Sequence, residues 1–126
     1  MQDHPTPAEL IGAVAEFLRS DIAPQLSGHA AFKLRVGVNA LDLVVRQLGQ
    51  EAQGNVAEVA RLADLLKTSG TLEELNRKLS EQIASGAMDL STPGLKDHLW
   101  HTTMDKLAVD QPNYASYRRE LDRDET

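Results

Sequence analysis

Residues 29–48, HAAFKLRVGVNALDLVVRQL, decide how this chain folds. Wound at about 100° per residue, the stretch places Leu34, Val38, Leu41, Val45 and Leu48 on one face. Val36, Gly37, Ala40, Leu43 and Val44 cover most of the opposite side. Arg35, Asn39, Asp42 and Arg46 recur at helical spacing and form a polar stripe spanning roughly 60° of the circumference. A helix apolar nearly all round belongs in the middle of a fold, so residues 29–48 are expected to be a central helix. Its stripe then faces water, closes a buried network, or meets a partner.

Working outward, the flanking segments read as helices with marked starts. Thr6-Pro7-Ala8-Glu9 supplies a cap, an N1 proline and an acid for the first helix, which ends or kinks at Ala23-Pro24. GQEAQGN after Leu48 reads as a loop or frayed end, and Asn55-Val56-Ala57-Glu58 as the start of a third helix. Thr71-Leu72-Glu73-Glu74 is a capping box for a fourth helix, stopped near Gly86. Ser91-Thr92-Pro93 opens a fifth, whose Leu95, Leu99, Trp100, Met104 and Leu107 read as its apolar side, and Pro112 ends it. Short connections imply antiparallel neighbours. The expected fold is all-α: an irregular antiparallel bundle of about five helices around the central apolar helix 29–48. Residues 1–126 read as a single helical domain, with 119–126 a charged, frayed tail.

Composition narrows the function. Hydrophobic residues are 41% of the 126 and aromatics only 4%, so the core is built from Leu, Val and Ala. A net charge of −6 argues against a nucleic-acid partner, which needs clustered positive charge. The absence of cysteine removes disulfides, thiol nucleophiles and thiolate metal sites. No apolar run approaches the ~20 residues of a membrane span, and the N-terminus has no signal-peptide pattern. The expectation is a cytoplasmic protein without a membrane or nucleic-acid partner and without a cofactor.

Three sets of residues are candidates for function. Arg35 and Arg46, with Asn39 and Asp42, could hold a carboxylate, a phosphate or an acidic surface. The plainer alternative is a structural network, with Asp42 and Arg46 an ordinary i, i+4 ion pair. Asp97, His98, His101 and Asp105 carry nitrogen and oxygen ligands on one part of a helix and could bind a divalent metal. Their spacing is not that of an established zinc motif, and exposed residues on a polar face is the commoner outcome. Asp105-Lys106-Leu107 through Tyr114 reads as a helix end, a proline stop and an aromatic anchor. Phosphate-loop, dinucleotide and nucleophile-elbow patterns are missing, so no catalytic residues are assigned and the chain is not expected to be an enzyme.

Ala31-Phe32-x-x-Arg35-Val36-x-x-Asn39-Ala40-Leu41 resembles the helix-two signature of a bacterial family of small domains of unknown function. Asp105-Lys106-Leu107 with Pro112 and Tyr114 is similar to that family's C-terminal signature. His4-Pro5-Thr6, Ala8-Glu9-Leu10 and Phe17-Leu18 extend the likeness over nearly the whole chain. Members of the family are encoded beside aminoglycoside-phosphotransferase-like kinases and acyl-CoA dehydrogenases. They include the small accessory subunit of the levulinic-acid pathway kinase that phosphorylates 4-hydroxyacyl-CoA. The resemblance implies a non-catalytic accessory subunit bound to such a kinase as a hetero-oligomer, and carries over no catalytic residues. Arg35, Asn39, Asp42, Arg46 and Tyr114 are then the partner-binding or network candidates. A homodimer without a kinase partner is the alternative, and a metal-dependent enzyme using Asp97, His98, His101 and Asp105 a further one.

Overall fold

A computed structural model describes residues 4–125. The chain is all-α, with no strand among the described residues. Helix α1 spans Pro7–Phe17, α2 Gly28–Leu66, α3 Leu72–Ala84, α4 Leu95–Asp110 and α5 Ala115–Asp124. The path after α1 widens into a π-helical turn at Leu18–Ile22 and closes with a 3-10 turn at Ala23–Gln25, where Pro24 supplies no N–H. The break expected at Ala23-Pro24 is therefore present.

The five helices are not divided as the sequence suggests. GQEAQGN does not interrupt the chain: residues 49–55 are helical, and α2 runs 39 residues without a stop. The physical reason is propagation. Once a helix is nucleated each further residue adds a hydrogen bond, and Gln, Glu and Ala are good helix formers. Two glycines cost about 1 kcal/mol each relative to Ala, too little to end a helix already running. The fifth helix comes from the C-terminal end instead. Residues 115–124, largely read as a charged tail, form α5, held by Tyr117, which is 8% exposed.

Helix starts written as caps behave as such twice. Glu9 N–H donates to Thr6 Oγ1 at 3.2 Å, and Thr71 and Glu74 complete a reciprocal box. Ser91-Thr92-Pro93 does not cap α4. Thr92 is committed to the preceding turn, where its Oγ1 accepts from Asp89 N–H, and α4 begins at Leu95 behind Gly94. Gly94, at φ 88, and Gly86, at φ 81 after α3, occupy left-handed conformations suited to glycine.

The chain separates into two compact units, Met1–Glu51 and Ala52–Thr126. Burial is uneven between them. The second unit holds a leucine core of Leu62, Leu75, Leu79 and Leu95, with Val59, Leu65, Leu66, Leu72 and Met88 packed against it. The first unit buries only Ala15 on α1 and Val38 on α2. Residues 29–48 are thus not surrounded by protein. Val38 is buried and Leu34, Leu41 and Val45 are half-buried, as their shared face predicts, whereas Val36, Ala40 and Val44 across the helix are exposed.

Candidate functional site

In the first unit, α2 separates its residues by angle. The inward face is that of Leu34, Val38, Leu41 and Val45; beside it runs the polar stripe, with Arg35 and Asn39 exposed and Asp42 and Arg46 half-buried. Arg35 does not close a buried network. Its guanidinium carbon lies 5.9 Å from the centroid of the Phe32 ring, a cation–π distance, and His29 stacks on the same ring with centroids 6.4 Å apart. Asp42 has a long-range partner in Arg19, whose Nη2 donates at 2.6 Å. Glu16 shares Arg19, and hydrogen bonds from Ser20 and Arg19 hold its carboxyl below the usual range.

Beyond the stripe the surface is apolar. Phe32 and Val36 are 53% and 52% exposed, and Val44 and Leu48 are also open. On α1, Leu10, Val14 and Phe17 recur at i, i+4 and i+7 and are exposed as well. Two apolar helical stripes with charged neighbours therefore face outward from one unit. Singly exposed apolar residues are ordinary, but rows of them mark interaction surfaces.

The second unit holds the histidine cluster, and there the structure departs from the sequence reading. The inward stripe of α4 is Leu95 and His98, continued by half-buried Thr102, while Leu99 and Trp100, expected inside, are exposed. His98 is only 3% exposed. Burial, with the Arg61 guanidinium adding to it, holds this imidazole below the ordinary histidine range, against an opposing pull from Glu58. His101 instead donates from Nδ1 to the Asp97 carbonyl oxygen at 2.9 Å. Asp105 lies 3.7 Å from Arg61 Nη2. Among the described residues no three His, Asp or Glu side chains converge where they could share a metal ion, so Asp97, His98, His101 and Asp105 are not assembled as a ligand set.

Around them is a half-open cleft of about 700 Å³, lined by Arg61, Asp64 and Lys67 from the end of α2 and by Asp97, His98 and His101 from α4, with Thr92 to Gly94 between. Arg61 Nε and Nη2, His98 Nδ1 and Thr102 Oγ1 are buried without a hydrogen-bond partner among the described residues. Each such group costs roughly 1–3 kcal/mol if nothing meets it, and Arg61 Nη2 has the Asp105 carboxylate at ion-pair distance. Sequence reading passed over Arg61 and Lys67. The only signal available was their position on the same helix end, and that acquires meaning once the fold brings α4 alongside. Tyr114, the expected aromatic anchor, is 51% exposed just before α5, and Tyr117 within α5 is buried.

A family model described as a domain of unknown function, DUF6285, matches residues 24–114, well over half of the chain. No curated protein and no solved structure matches it. Among the described residues, no helix is long and apolar enough to cross a membrane.

Proposed function

The chain belongs to the DUF6285 family, and we propose that it serves as a non-catalytic accessory subunit, docking on a phosphotransferase-like kinase that acts on hydroxyacyl-CoA in acid catabolism. The observation that carries the reading is the outward apolar surface of the first unit: Phe32, Val36 and Val44 on α2, and Leu10, Val14 and Phe17 on α1. An interface core is apolar and its rim polar, and Arg and aromatic residues dominate its energetics. Phe32 with Arg35 over its ring, bordered by Asn39, has that composition. The kinase and its hydroxyacyl-CoA substrate come from the family resemblance of the two signatures quoted above.

The test is co-purification from the native host with the chain tagged, followed by identification of what is retained. Recovery of a near-stoichiometric phosphotransferase-like kinase is expected, with hydroxyacyl-CoA phosphorylation lower when this subunit is left out. Phe32→Asp combined with Val36→Asp should abolish recovery without changing the helical signal, since both side chains are solvent-facing in the free chain. Arg35→Ala with Asn39→Ala should weaken it. Recovery of the chain alone, as monomer or homodimer, overturns the kinase assignment.

A further inference from the structure

Taking the docking surface of the first unit as given, we propose that its α2 strip receives an acidic amphipathic helix of the partner, whose carboxylates pair with Lys33 and Arg35. The chain distributes its charge unevenly. It has 19 Asp and Glu and a net charge of −6, yet residues 22–41 contain no acid at all. That run carries His29, Lys33 and Arg35, all exposed. Among the described residues neither Lys33 nor Arg35 pairs with a carboxylate, and Arg35 lies over the Phe32 ring instead. Asp42, just past the run, is held by Arg19 at 2.6 Å, and Glu16 on α1 is bonded to Arg19 and Ser20. Lys33 and Arg35 are therefore uncompensated positive charge on an acidic chain.

Helical winding sets where the two cations stand. At about 100° per residue Phe32 and Val36 share one outward strip, and Lys33 and Arg35 fall about 80° to either side of its midline. His29, stacked on Phe32, and the exposed Ala40 extend the strip along the helix. Positions 29, 32, 36 and 40 recur at intervals of three and four residues, the spacing by which one helix packs against another. An apolar centre with a cation on each flank is matched by a helix whose apolar stripe carries Asp or Glu along both edges. A neutral or basic segment would leave both cations unpaired at the rim. A second copy of this chain, packed strip against strip by a two-fold axis, would bring Lys33 and Arg35 against the same cations of its twin. Charge complementarity thus selects an acidic helix of another protein.

The experiment is carbodiimide cross-linking of the co-purified kinase complex, which joins a lysine amine to a carboxylate in contact with it, followed by peptide mass spectrometry. Lys33 is expected to be joined to an Asp or Glu on a kinase helix whose apolar residues recur at three- and four-residue spacing. Lys33→Glu with Arg35→Glu should slow association with the kinase roughly tenfold at low ionic strength, and the gap should close as salt is raised. Both side chains are exposed, so the fold is kept, and an unchanged helical signal checks it. Lysines placed at the cross-linked kinase carboxylates should restore the rate in the double variant. Unchanged association in that variant, while Phe32→Asp with Val36→Asp still releases the kinase, overturns the acidic helix and leaves the docking surface standing. Retention of the kinase by both double variants, or recovery of no kinase, overturns both. Lys33 joined to a second copy of this chain, or loss of the same cations releasing the chain from phosphatidylglycerol vesicles but not from the kinase, also overturns the acidic helix.

Discussion

At position 98 a histidine occupies the inward stripe of α4 where a leucine would ordinarily sit, and the consequence is a pH dependence of stability. His98 is buried, its charged form is disfavoured by that burial and by Arg61, and Glu58 only partly compensates; His101 adds a further unfavourable contribution. Its folded pKa lies below the ordinary value of 6.5, so the unfolded chain takes up the proton first. Stability from this group is complete above pH 6.5 and is lost as pH falls from there toward the lower folded value. Urea denaturation at pH 7.5 and 5.5 should show the acid loss, and His98→Leu should flatten it across that window. Glu16 and Asp89, whose pKa values are also lowered, act in a separate and more acidic range. Lys67 allows a second test at this scale. Lys67→Gly removes the cost of a side chain at φ 56 and should raise stability by about 1 kcal/mol, measurable in the same titrations. The sequence told little of either residue. Spacing fixes which side chains share a column of α4, so the Asp97, His101, Asp105 column was legible. It does not fix how the helix is rotated about its axis: of the expected apolar side Leu95, Met104 and Leu107 are buried or half-buried, whereas Leu99 and Trp100 are exposed.

Between elements, what is legible depends on how local the signal is. Thr6 and Thr71 mark helix starts because the capping geometry is complete within four residues, and the break at Pro24 follows from one missing N–H. The inward face of residues 29–48 was legible for the same reason: periodicity of 3.6 needs no tertiary information. The continuity of α2 was not, because Gly49 and Gly54 weaken a helix without specifying an alternative to it. This argues for a direct check. No atom beyond their own helix lies within 4 Å of a Cβ built at Gly49 or Gly54, so an added methyl meets open space. If the helix runs through, Gly49→Ala and Gly54→Ala should each stabilise the chain by about 0.5–1 kcal/mol and raise its helical signal. A loop at 49–55 would leave both nearly unchanged. Thr71→Ala, which removes the Thr71 side-chain half of a full capping box, should cost about 1 kcal/mol.

Over the whole molecule, apolar burial is concentrated in the second unit, and that bears on the docking proposal. The second unit has a leucine core of its own, whereas the first leaves two apolar stripes in water and buries little. Local opening is easiest where few apolar contacts must be broken, so amides near Leu62, Leu75, Leu79 and Leu95 should exchange with solvent slowest, and those of α1 and residues 28–48 faster. An accessory subunit that completes its first unit on a partner makes a further demand. Adding the co-purified kinase should slow exchange selectively at residues 10–17 and 32–48, the stretches carrying Leu10, Val14, Phe17, Phe32 and Val36. The leucine core of the second unit should change little, because it is already enclosed. Slow exchange of residues 28–48 in the free chain, dependent on its own concentration, would instead mean that a second copy covers the stripes. Protection gained only around residues 92–101 would place the partner on the cleft and move the interface to the other unit.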